Sequence, residues 1–334
     1  MTERIAILGA GSWGTALAHH CARIGHDVRL WGRDEPLVRE IAATRVNARY
    51  LPSATLPERV LVSAALDDTL LEATLVIAAL PSHGFRAVMR SAVPWIAEHA
   101  VIVSATKGLE SGSLARMTQV VSAEAGAHRT VVALSGPSFA EEVAHGLPTA
   151  VVAASTDAAA AARVQAALKG SSFRLYASAD VAGVEFGGAF KNVIAIAAGV
   201  VDGLALGHNA MAALITRGLV EMSRLACAEG GRRDTMSGLS GLGDLVLTCT
   251  GDLSRNRRLG IELGRGRTLE DVLSKTRMVA EGIRTTHAAL ALGQRHGIEL
   301  PIAAQMAAVL DRIVSPREAV DMLMLRRQRA EVDN

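Results

Sequence analysis

Short apolar runs alternate with longer stretches of helical periodicity over the first half of the chain. Strands that are apolar on nearly every position are typical of a sheet that is covered on both faces. The runs that predict strands are Arg4–Leu8, Asp27–Trp31, Thr74–Leu80, Ala100–Ser104, Thr130–Leu134 and Thr149–Ala154. Strands separated by helices in this way predict an α/β fold with a parallel, doubly wound sheet.

The pattern changes near Asp180. From Val181 onward the apolar positions follow helical periodicity with glycine punctuation, and no stretch alternates as a half-buried strand does. A chain of 334 residues is long enough for two domains. We therefore expect a Rossmann-type doubly wound domain over residues 1–183 and an all-α domain over residues 184–334.

The first predicted strand runs directly into a G-x-G-x-x-G motif at Gly9, Gly11 and Gly14. In a dinucleotide-binding turn the first glycine allows the tight turn and the second lets the pyrophosphate approach the backbone. The third lets the following helix lie close to the strand, so that the diphosphate sits at the positive end of that helix. Because the motif follows a strand and precedes a helical stretch, it predicts a dinucleotide site rather than a structural glycine turn.

Arg33 and Asp34 follow the second predicted strand, about twenty residues beyond the glycines, where the adenosine ribose is expected. A carboxylate at this point favours NAD, whereas an arginine can pair with the additional phosphate of NADP. Asp34 is equally placed to cap the helix that begins at Glu35 and Pro36. The pattern slightly favours NADP and leaves NAD open.

Composition excludes several classes of function. The net charge is only +2, and a duplex-binding protein normally shows a clustered basic face, so we expect no nucleic-acid partner. The three cysteines lack C-x-x-C spacing, which disfavours disulfides and a zinc site, and we expect no metal.

We expect a cytoplasmic protein, because no signal segment precedes the first strand. The apolar stretch Val193–Val201 is too short to span a membrane, so we expect a buried core helix and no membrane insertion.

Lys191 lies within the apolar run Ala189–Ala198, one helical turn after the pair Gly187 and Gly188. Lysine is rarely buried without a partner. Burial lowers its pKa towards a value at which it can exchange a proton with a substrate. The glycine pair would clear the helix face beside Lys191 for a ligand. The alternative is that the glycines admit a neighbouring helix.

Three other segments carry side chains suited to an anionic substrate. Ser254, Arg255 and Asn256 combine a guanidinium with neutral donors, a set that matches a phosphate or carboxylate. Lys107 follows a predicted strand, so it lies on the side of the sheet where ligands bind. Taken singly, Arg255 and Lys107 also fit exposed surface residues, and Asp244 also fits a helix cap.

Several motifs resemble those of the bacterial-type NAD(P)-dependent glycerol-3-phosphate dehydrogenases, and they span essentially the whole chain. They are G-A-G-S-W-G-T-A at Gly9–Ala16, S-A-T-K-G at Ser104–Gly108, L-S-G-P-S-F-A-E-E-V at Leu134–Val143, G-V-E-F-G-G-A-F-K-N at Gly183–Asn192, S-G-L-G-D at Ser240–Asp244, S-R-N at Ser254–Asn256 and V-A-E-G at Val279–Gly282. The resemblance implies a 6-phosphogluconate-dehydrogenase-like fold. It also implies reversible hydride transfer between the nicotinamide and C2 of dihydroxyacetone phosphate, giving sn-glycerol 3-phosphate for phospholipid synthesis.

The resemblance also implies roles for individual residues. Lys191 would be the general acid/base, with Lys107 and Asp244 as catalytic residues that bind and orient the substrate. The implied substrate contacts are Lys107, Gly136, Ser138, Lys191, Asp244, Ser254, Arg255 and Asn256. The implied cofactor contacts are Gly9, Gly11, Ser12, Trp13, Gly14, Arg33, Lys107, Ala140, Arg255, Val279 and Glu281. Position 33 varies in the family between histidine and arginine-like residues, so the choice between NAD and NADP stays open.

Two other functions fit parts of the pattern. β-Hydroxyacid dehydrogenases also have a Rossmann domain followed by helices with a lysine and an asparagine, but they bind a carboxylate and separate the two residues by about a helical turn. Here Lys191 and Asn192 are adjacent. A regulatory protein that binds the cofactor without catalysis would not need Lys107, Lys191 and Asp244. A homodimer formed through the helical domain is the expectation from the family.

Overall fold

The computed structural model describes residues 2–274, 281–328 and 330–331. Its main feature is an eight-stranded sheet with the strand order β10-β9-β8-β7-β6-β1-β2-β5. The strands of this sheet are β1 (Arg4–Leu8), β2 (Asp27–Trp31), β5 (Val60–Ser63), β6 (Leu75–Ala78), β7 (Val101–Ser104), β8 (Val131–Ser135), β9 (Thr149–Ala154) and β10 (Phe173–Ser178). A separate two-stranded antiparallel sheet is formed by β3 (Val46–Asn47) and β4 (Leu51–Thr55).

The apolar runs along the chain become the buried centre of the sheet. β1 pairs in parallel with β2 on one side and with β6 on the other, and Ile5, Ile7 and Leu8 are almost completely buried. One apolar cluster lies on each face: Ile5 and Ile7 belong to one, and Leu8 belongs to the other. The predicted doubly wound α/β architecture is confirmed.

The connections between these strands contain α-helices and one 3-10 turn at Val93–Trp95. The helices are α1 (Ser12–Arg23), α2 (Glu35–Thr44), α3 (Leu66–Leu70), α4 (Ser82–Ala92), α5 (Met117–Ala125), α6 (Ala140–Ala144) and α7 (Ala158–Leu168). Asp34 caps α2, with its carboxylate accepting a hydrogen bond from the amide of Leu37. The sequence suggested two roles for Asp34, as a ribose-binding carboxylate and as a helix cap. The structure shows it as the cap of α2.

Two strands, β9 and β10, run opposite to the other six strands of the sheet, contrary to the predicted parallel arrangement. β9 pairs antiparallel with β8, and β10 then pairs in parallel with β9. A parallel connection needs a crossover that covers the sheet, whereas the segment after β8 contains only the five-residue α6 and returns the chain along β8. The sequence pattern also missed β3, β4 and β5, which are short, and β10, whose residues Phe173–Leu175 alternate apolar and charged as a half-buried strand does.

The contacts divide the chain into two units. The first unit is Met1–Ala189 with Ala226–Asp244, and the second is Phe190–Leu225 with Leu245–Asn334. The first unit thus extends beyond residue 183, and the boundary between a Rossmann-type domain and an all-α domain at that residue stays a prediction. The segment Ala226–Asp244 contains α10 (Arg233–Met236) and a π-helical turn at Leu239–Gly243.

The described residues after β10 form helices and their connections, as the periodicity predicts. These helices are α8 (Val181–Gly203), α9 (Gly207–Ala228), α10, α11 (Asp244–Thr250), α12 (Arg255–Gly264), α13 (Leu269–Ser274), α14 (Glu281–His296), α15 (Pro301–Leu310) and α16 (Pro316–Met324). Within the second unit, α8 packs tightly on α12, because a Cβ on Gly199 would lie 2.0 Å from the carbonyl oxygen of Arg257.

Among the described residues, α8 is the one helix that is long and apolar enough to cross a membrane. It has 23 residues, so it is longer than the apolar stretch Val193–Val201 from which a core helix was predicted. Its most apolar window is entirely buried by the rest of the protein. Burial of this kind is typical of a core helix.

Candidate functional site

The glycine motif forms a tight turn between β1 and α1. Gly9 has φ +118°, and a Cβ at this position would lie 2.5 Å from the carbonyl oxygen of Ala79. A Cβ on Gly14 would lie 1.9 Å from the carbonyl oxygen of Gly9. No larger residue fits at either position, because backbone atoms occupy the space.

Gly11 differs from the other two glycines, because a Cβ here would meet no atom within 4 Å. It is also the N-cap of α1, and no side chain caps the first turn of that helix. Next to it the indole Nε1 of Trp13 is buried and has no hydrogen-bond partner among the described residues. Open space, uncapped amides and an unpartnered donor together fit a dinucleotide with its diphosphate at the start of α1.

The end of β2 carries both residues that the sequence suggested for the ribose. Arg33 is exposed. Asp34 accepts a hydrogen bond from Leu37 on Oδ1 and is paired through Oδ2 with Arg49, at 2.5 Å. The Arg49 guanidinium, followed by the Leu37 amide, lowers the pKa of Asp34 below its usual value. Arg49 was not singled out from the sequence, because its partner is distant along the chain.

Lys107 and Asp244 form a buried ion pair in the first unit. The Lys107 ammonium lies 2.8 Å from Oδ2 of Asp244, and the two side chains are 17% and 0% exposed. Lys107 also donates to the carbonyl oxygen of Gly136 at 2.7 Å and to the hydroxyl of Ser138 at 3.3 Å. Four residues that were predicted separately from the sequence thus meet at one ammonium group, and we call them the Lys107 cluster.

Backbone geometry holds the carbonyl group of Gly136 in this cluster. Gly136 has φ +134°, and a Cβ here would lie 2.9 Å from the Cα of Val151 on β9. Ser138 donates its hydroxyl to the same carbonyl oxygen at 3.0 Å. The turn after β8 therefore presents one carbonyl and one hydroxyl to Lys107, and the antiparallel β9 leaves room only for glycine at position 136.

Lys191 lies on α8 in the second unit, and the residue is 7% exposed. Its ammonium donates a hydrogen bond to the hydroxyl of Thr248 at 2.9 Å. Thr248 lies on α11, one turn after Asp244. That spacing is the signal from which Thr248 could have been found, because residues four apart share a helix face.

Asn256 joins three helices of the second unit. Its amide donates to Oδ1 of Asn192 at 2.9 Å, and its own Oδ1 accepts from the amide of Gly282 at 3.1 Å. An asparagine amide has two N–H donors, of which Asn192 engages one. Ser254 is buried and caps α12 by accepting from the amide of Arg257, whereas Arg255 begins that helix and is exposed.

The space beside Gly187 and Gly188 is filled by protein, so the expectation that they clear a face for a ligand is wrong. A Cβ on Gly187 would lie 2.4 Å from the carbonyl oxygen of Ser240. A Cβ on Gly188 would lie 2.4 Å from the hydroxyl of Ser135. The glycines admit the π-helical turn and the end of β8, in the way that the alternative interpretation expected for a neighbouring helix.

Three of the remaining predicted contact residues lie at the starts of helices. Ser12 is the first residue of α1, Ala140 of α6 and Glu281 of α14. Val279 lies outside the described residues.

Comparisons with known proteins place both halves of the chain in one family. Residues 4–161 match the model of the NAD-dependent glycerol-3-phosphate dehydrogenase N-terminus, and residues 180–321 match that of the C-terminus. The glycerol-3-phosphate dehydrogenase [NAD(P)+] of Koribacter versatilis is 51% identical over 99% of both chains. The enzyme of the same name from Geobacter sp. is 50% identical, also over 99% of both chains.

A solved structure agrees with these sequence matches. The crystal structure of glycerol-3-phosphate dehydrogenase from Coxiella burnetii has a TM-score of 0.93 and 44% identity to this protein. It covers 97% of this chain and 99% of its own. The resemblance inferred from the motifs is confirmed: the chain belongs to the NAD-dependent glycerol-3-phosphate dehydrogenase family.

Proposed function

We propose that the protein is an NAD(P)-dependent oxidoreductase that interconverts dihydroxyacetone phosphate and sn-glycerol 3-phosphate. The observation that carries the proposal is the match of both halves of the chain to the two halves of one dehydrogenase family. The open, uncapped turn at Gly11 supports it, because such a turn suits the diphosphate of a dinucleotide. A carboxylate-binding β-hydroxyacid dehydrogenase, the alternative function, finds no comparable support.

NAD(P)H, when bound, supplies the hydride that reduces C2 of the ketone. The residues that we propose to hold it are Gly9, Gly11, Ser12, Trp13, Gly14, Arg33, Lys107, Ala140, Arg255, Val279 and Glu281. The buried Nε1 of Trp13 supports this assignment, because an unpartnered donor beside an open turn gains a partner when a ligand binds. As between the two cofactors, we propose a slight preference for NADP.

Lys191 is the proposed general acid/base. Reduction of a ketone develops negative charge on its oxygen, and an ammonium group both stabilises that charge and delivers a proton from Nζ. The hydrogen bond to Thr248 limits the rotation of a flexible side chain, so that the proton is held in one place. In the direction of alcohol oxidation the neutral amine takes the proton back.

Lys107 and Asp244 are proposed to orient the substrate. The carboxylate of Asp244, the carbonyl of Gly136 and the hydroxyl of Ser138 restrict where the Lys107 ammonium can move. A cation held in this way can stabilise negative charge on a substrate oxygen with little reorganisation during the reaction. Gly136 and Ser138, which the family resemblance implies as substrate contacts, are included among the proposed substrate contacts because they lie at the same ammonium group.

The substrate phosphate is assigned to the start of α12. Ser254, Arg255 and Asn256 are consecutive, and Arg255 is exposed at the N-terminal end of the helix. A guanidinium binds phosphate with two parallel hydrogen bonds, and the positive end of a helix favours the same anion. Asn256 retains a second N–H donor beside its bond to Asn192.

The direct test is the oxidation of NADH and NADPH by the purified protein on addition of dihydroxyacetone phosphate. We expect oxidation with the phosphorylated ketone and little with dihydroxyacetone, glyceraldehyde or a β-keto acid. Formation of sn-glycerol 3-phosphate should match cofactor consumption. Turnover of dihydroxyacetone as fast as of its phosphate would contradict the proposed substrate.

We also propose that the enzyme is a cytoplasmic homodimer that forms precursors of glycerophospholipids, with no membrane insertion and no nucleic-acid partner. Apolar side chains near the end of the second unit support the dimer, since Ile313, Met324 and Leu325 are 74%, 79% and 84% exposed. Analytical ultracentrifugation of the protein and of an Ile313→Glu, Leu325→Glu variant would test it. A wild-type monomer at micromolar concentration would contradict the proposal.

A further inference from the structure

Asp34 follows β2, where a carboxylate is expected to accept hydrogen bonds from the ribose hydroxyls of NAD, but both of its oxygens are engaged within the protein. Oδ1 accepts from the Leu37 amide at 3.2 Å, and Oδ2 is paired with Arg49 at 2.5 Å. A carboxylate in use as a cap and as an ion-pair partner has less capacity to accept from a ribose. The residue that engages Oδ2 therefore influences which cofactor is preferred.

A buried asparagine brings Arg49 to this edge of the sheet. Asn47 is completely buried, and its amide donates to the carbonyl oxygen of Ala10 at 2.9 Å and to the hydroxyl of Thr15 at 2.8 Å. Its own Oδ1 accepts from the amide of Tyr50. The turn that carries Arg49 is thus anchored directly to the glycine turn between β1 and α1.

The end of β2 is anchored to the same glycine turn. A Cβ on Gly32 would lie 3.1 Å from the Cβ of Ala10, so the chain leaves β2 against the glycine turn. Arg33 and Asp34 follow immediately. The Arg49 guanidinium also lies over the ring of Tyr50, 6.0 Å from its centroid, which further restricts the side chain.

We propose that Arg49 is a positioning residue for cofactor choice, which acts by holding the carboxylate of Asp34 away from the ribose. This inference rests on the proposed dehydrogenase function. With Arg49 in place, the three side chains Arg33, Asp34 and Arg49 carry a net charge of about +1, which favours a 2′-phosphate. Without Arg49, Arg33 and Asp34 cancel, and the freed carboxylate repels the phosphate and accepts from a ribose hydroxyl.

The pair is partly exposed, with side-chain exposures of 35% for Arg49 and 43% for Asp34. An exposed pair contributes little to folding stability. Its removal should therefore change ligand preference without unfolding the protein, which makes Arg49 suitable for substitution.

The test is the Arg49→Gln variant, with calorimetric titration of adenosine 2′,5′-bisphosphate and of AMP. These probes differ by the 2′-phosphate and need no catalysis. We expect the Kd of the bisphosphate to rise by about tenfold or more. The Kd of AMP should stay within about twofold, and kcat/KM with NADPH relative to NADH should fall in parallel. Equal weakening of both probes would overturn the proposal.

Arg39→Gln is the matched control, because Arg39 is an exposed arginine of α2 that pairs with Glu35 one turn earlier on the same helix. It should leave the ratio of the two dissociation constants unchanged. If Arg39→Gln changed that ratio as much as Arg49→Gln does, the effect would be one of general charge, and the assignment to Arg49 would fail.

Asp34→Asn separates action through Asp34 from direct contact with the phosphate. Asparagine caps helices as well as aspartate does, so α2 should be preserved. In this background Arg49→Gln should weaken the bisphosphate by less than about threefold, because no carboxylate is released. A full tenfold loss would overturn the positioning role. If these binding results held but no ketone were reduced, the proposed reaction would fail while the inference about Arg49 stood.

Discussion

Two ion pairs of the first unit differ chiefly in burial. The side chains of Lys107 and Asp244 are 17% and 0% exposed, whereas those of Arg49 and Asp34 are 35% and 43% exposed. Breaking a buried pair leaves a charge without water or a partner, which costs several kcal/mol, whereas an exposed pair contributes little because water screens it. Burial therefore suits the first pair to fix geometry, and exposure suits the second to adjust ligand preference.

Lys191 is a buried cation in the second unit, and removal of its ammonium group should have the largest effect on turnover. Lys191→Met keeps the apolar stem but removes the proton, so turnover should fall by about 10²–10⁴ while nucleotide binding is retained. Stopped-flow and steady-state rates measure the loss. Lys169→Met removes an exposed lysine and is the control. Turnover within about threefold of the parent would assign the proton to another group, with Lys107 the next candidate.

Breaking the buried pair should have the next largest effect. Asp244→Asn leaves the ammonium of Lys107 without its carboxylate, so turnover should fall by about 10² and unfolding free energy by about 3 kcal/mol. Lys107→Ala should reduce turnover similarly, and Asp244→Asn should leave cofactor affinity little changed. Asp234→Asn, at a 92% exposed carboxylate, is the control. Near-normal kcat in either variant would contradict the orienting role of the pair.

Substitution of Arg33, which is exposed, tests whether the residues that follow β2 set the preference between NADPH and NADH. If its guanidinium pairs with the 2′-phosphate, Arg33→Ala should weaken NADPH binding by about 1.5–3 kcal/mol and NADH binding far less. Titration by cofactor fluorescence gives both dissociation constants. An equal loss for the two cofactors would show that Arg33 does not bind the phosphate.

Arg255 should show a smaller effect, chiefly on substrate affinity. Arg255→Lys keeps the charge but loses the two-pronged contact, so KM for dihydroxyacetone phosphate should rise by about tenfold with kcat little changed. Arg258→Lys, on an exposed face of the same helix, is the control. An unchanged KM would show that the substrate phosphate binds elsewhere.

Glu221 is a buried carboxylate in the second unit, and it should have the smallest effect on turnover. Its oxygens accept from the amides of Ile302 and Ala303, and burial raises its pKa from 4.5 to about 7. Because the folded state holds this proton more tightly, the contribution of Glu221 to stability is fully present below about pH 4.5 and is lost as pH rises through about 7. The change is on the order of 3 kcal/mol.

Chemical unfolding at several pH values tests this assignment. Glu221→Gln should remove this part of the pH dependence and make the variant less sensitive to pH between about 5 and 7. The same slope in parent and variant would show that another group titrates.

Much of the first unit could be predicted from the sequence, because each signal is local. The span of β2, Asp27–Trp31, and that of β9, Thr149–Ala154, agree with the apolar runs. The prediction that Gly9 turns the chain and Gly14 brings α1 close to β1 follows from the absence of a side chain, and the distances agree. The family could likewise be inferred, because its motifs occur in succession along essentially the whole chain.

Other features could not be predicted, because they depend on residues that are distant along the chain. The direction of β9 depends on how residues 136–148 return to the sheet. The partners of Gly187 and Gly188 are Ser240 and Ser135, which local periodicity cannot identify. A glycine in a helix signals close approach, but it does not specify what approaches.

The sequence by itself determined the central strands of the sheet, the helical character of the second half of the chain, the place of the dinucleotide turn and the family to which the chain belongs. These properties follow from side-chain periodicity, glycine and short motifs, which act over a few residues. Only the tertiary structure decided that Lys107 pairs with Asp244 and that Arg49 engages Asp34. Those pairings join residues 137 and 15 positions apart, and burial, which sets what each pair contributes, arises only when the whole unit packs.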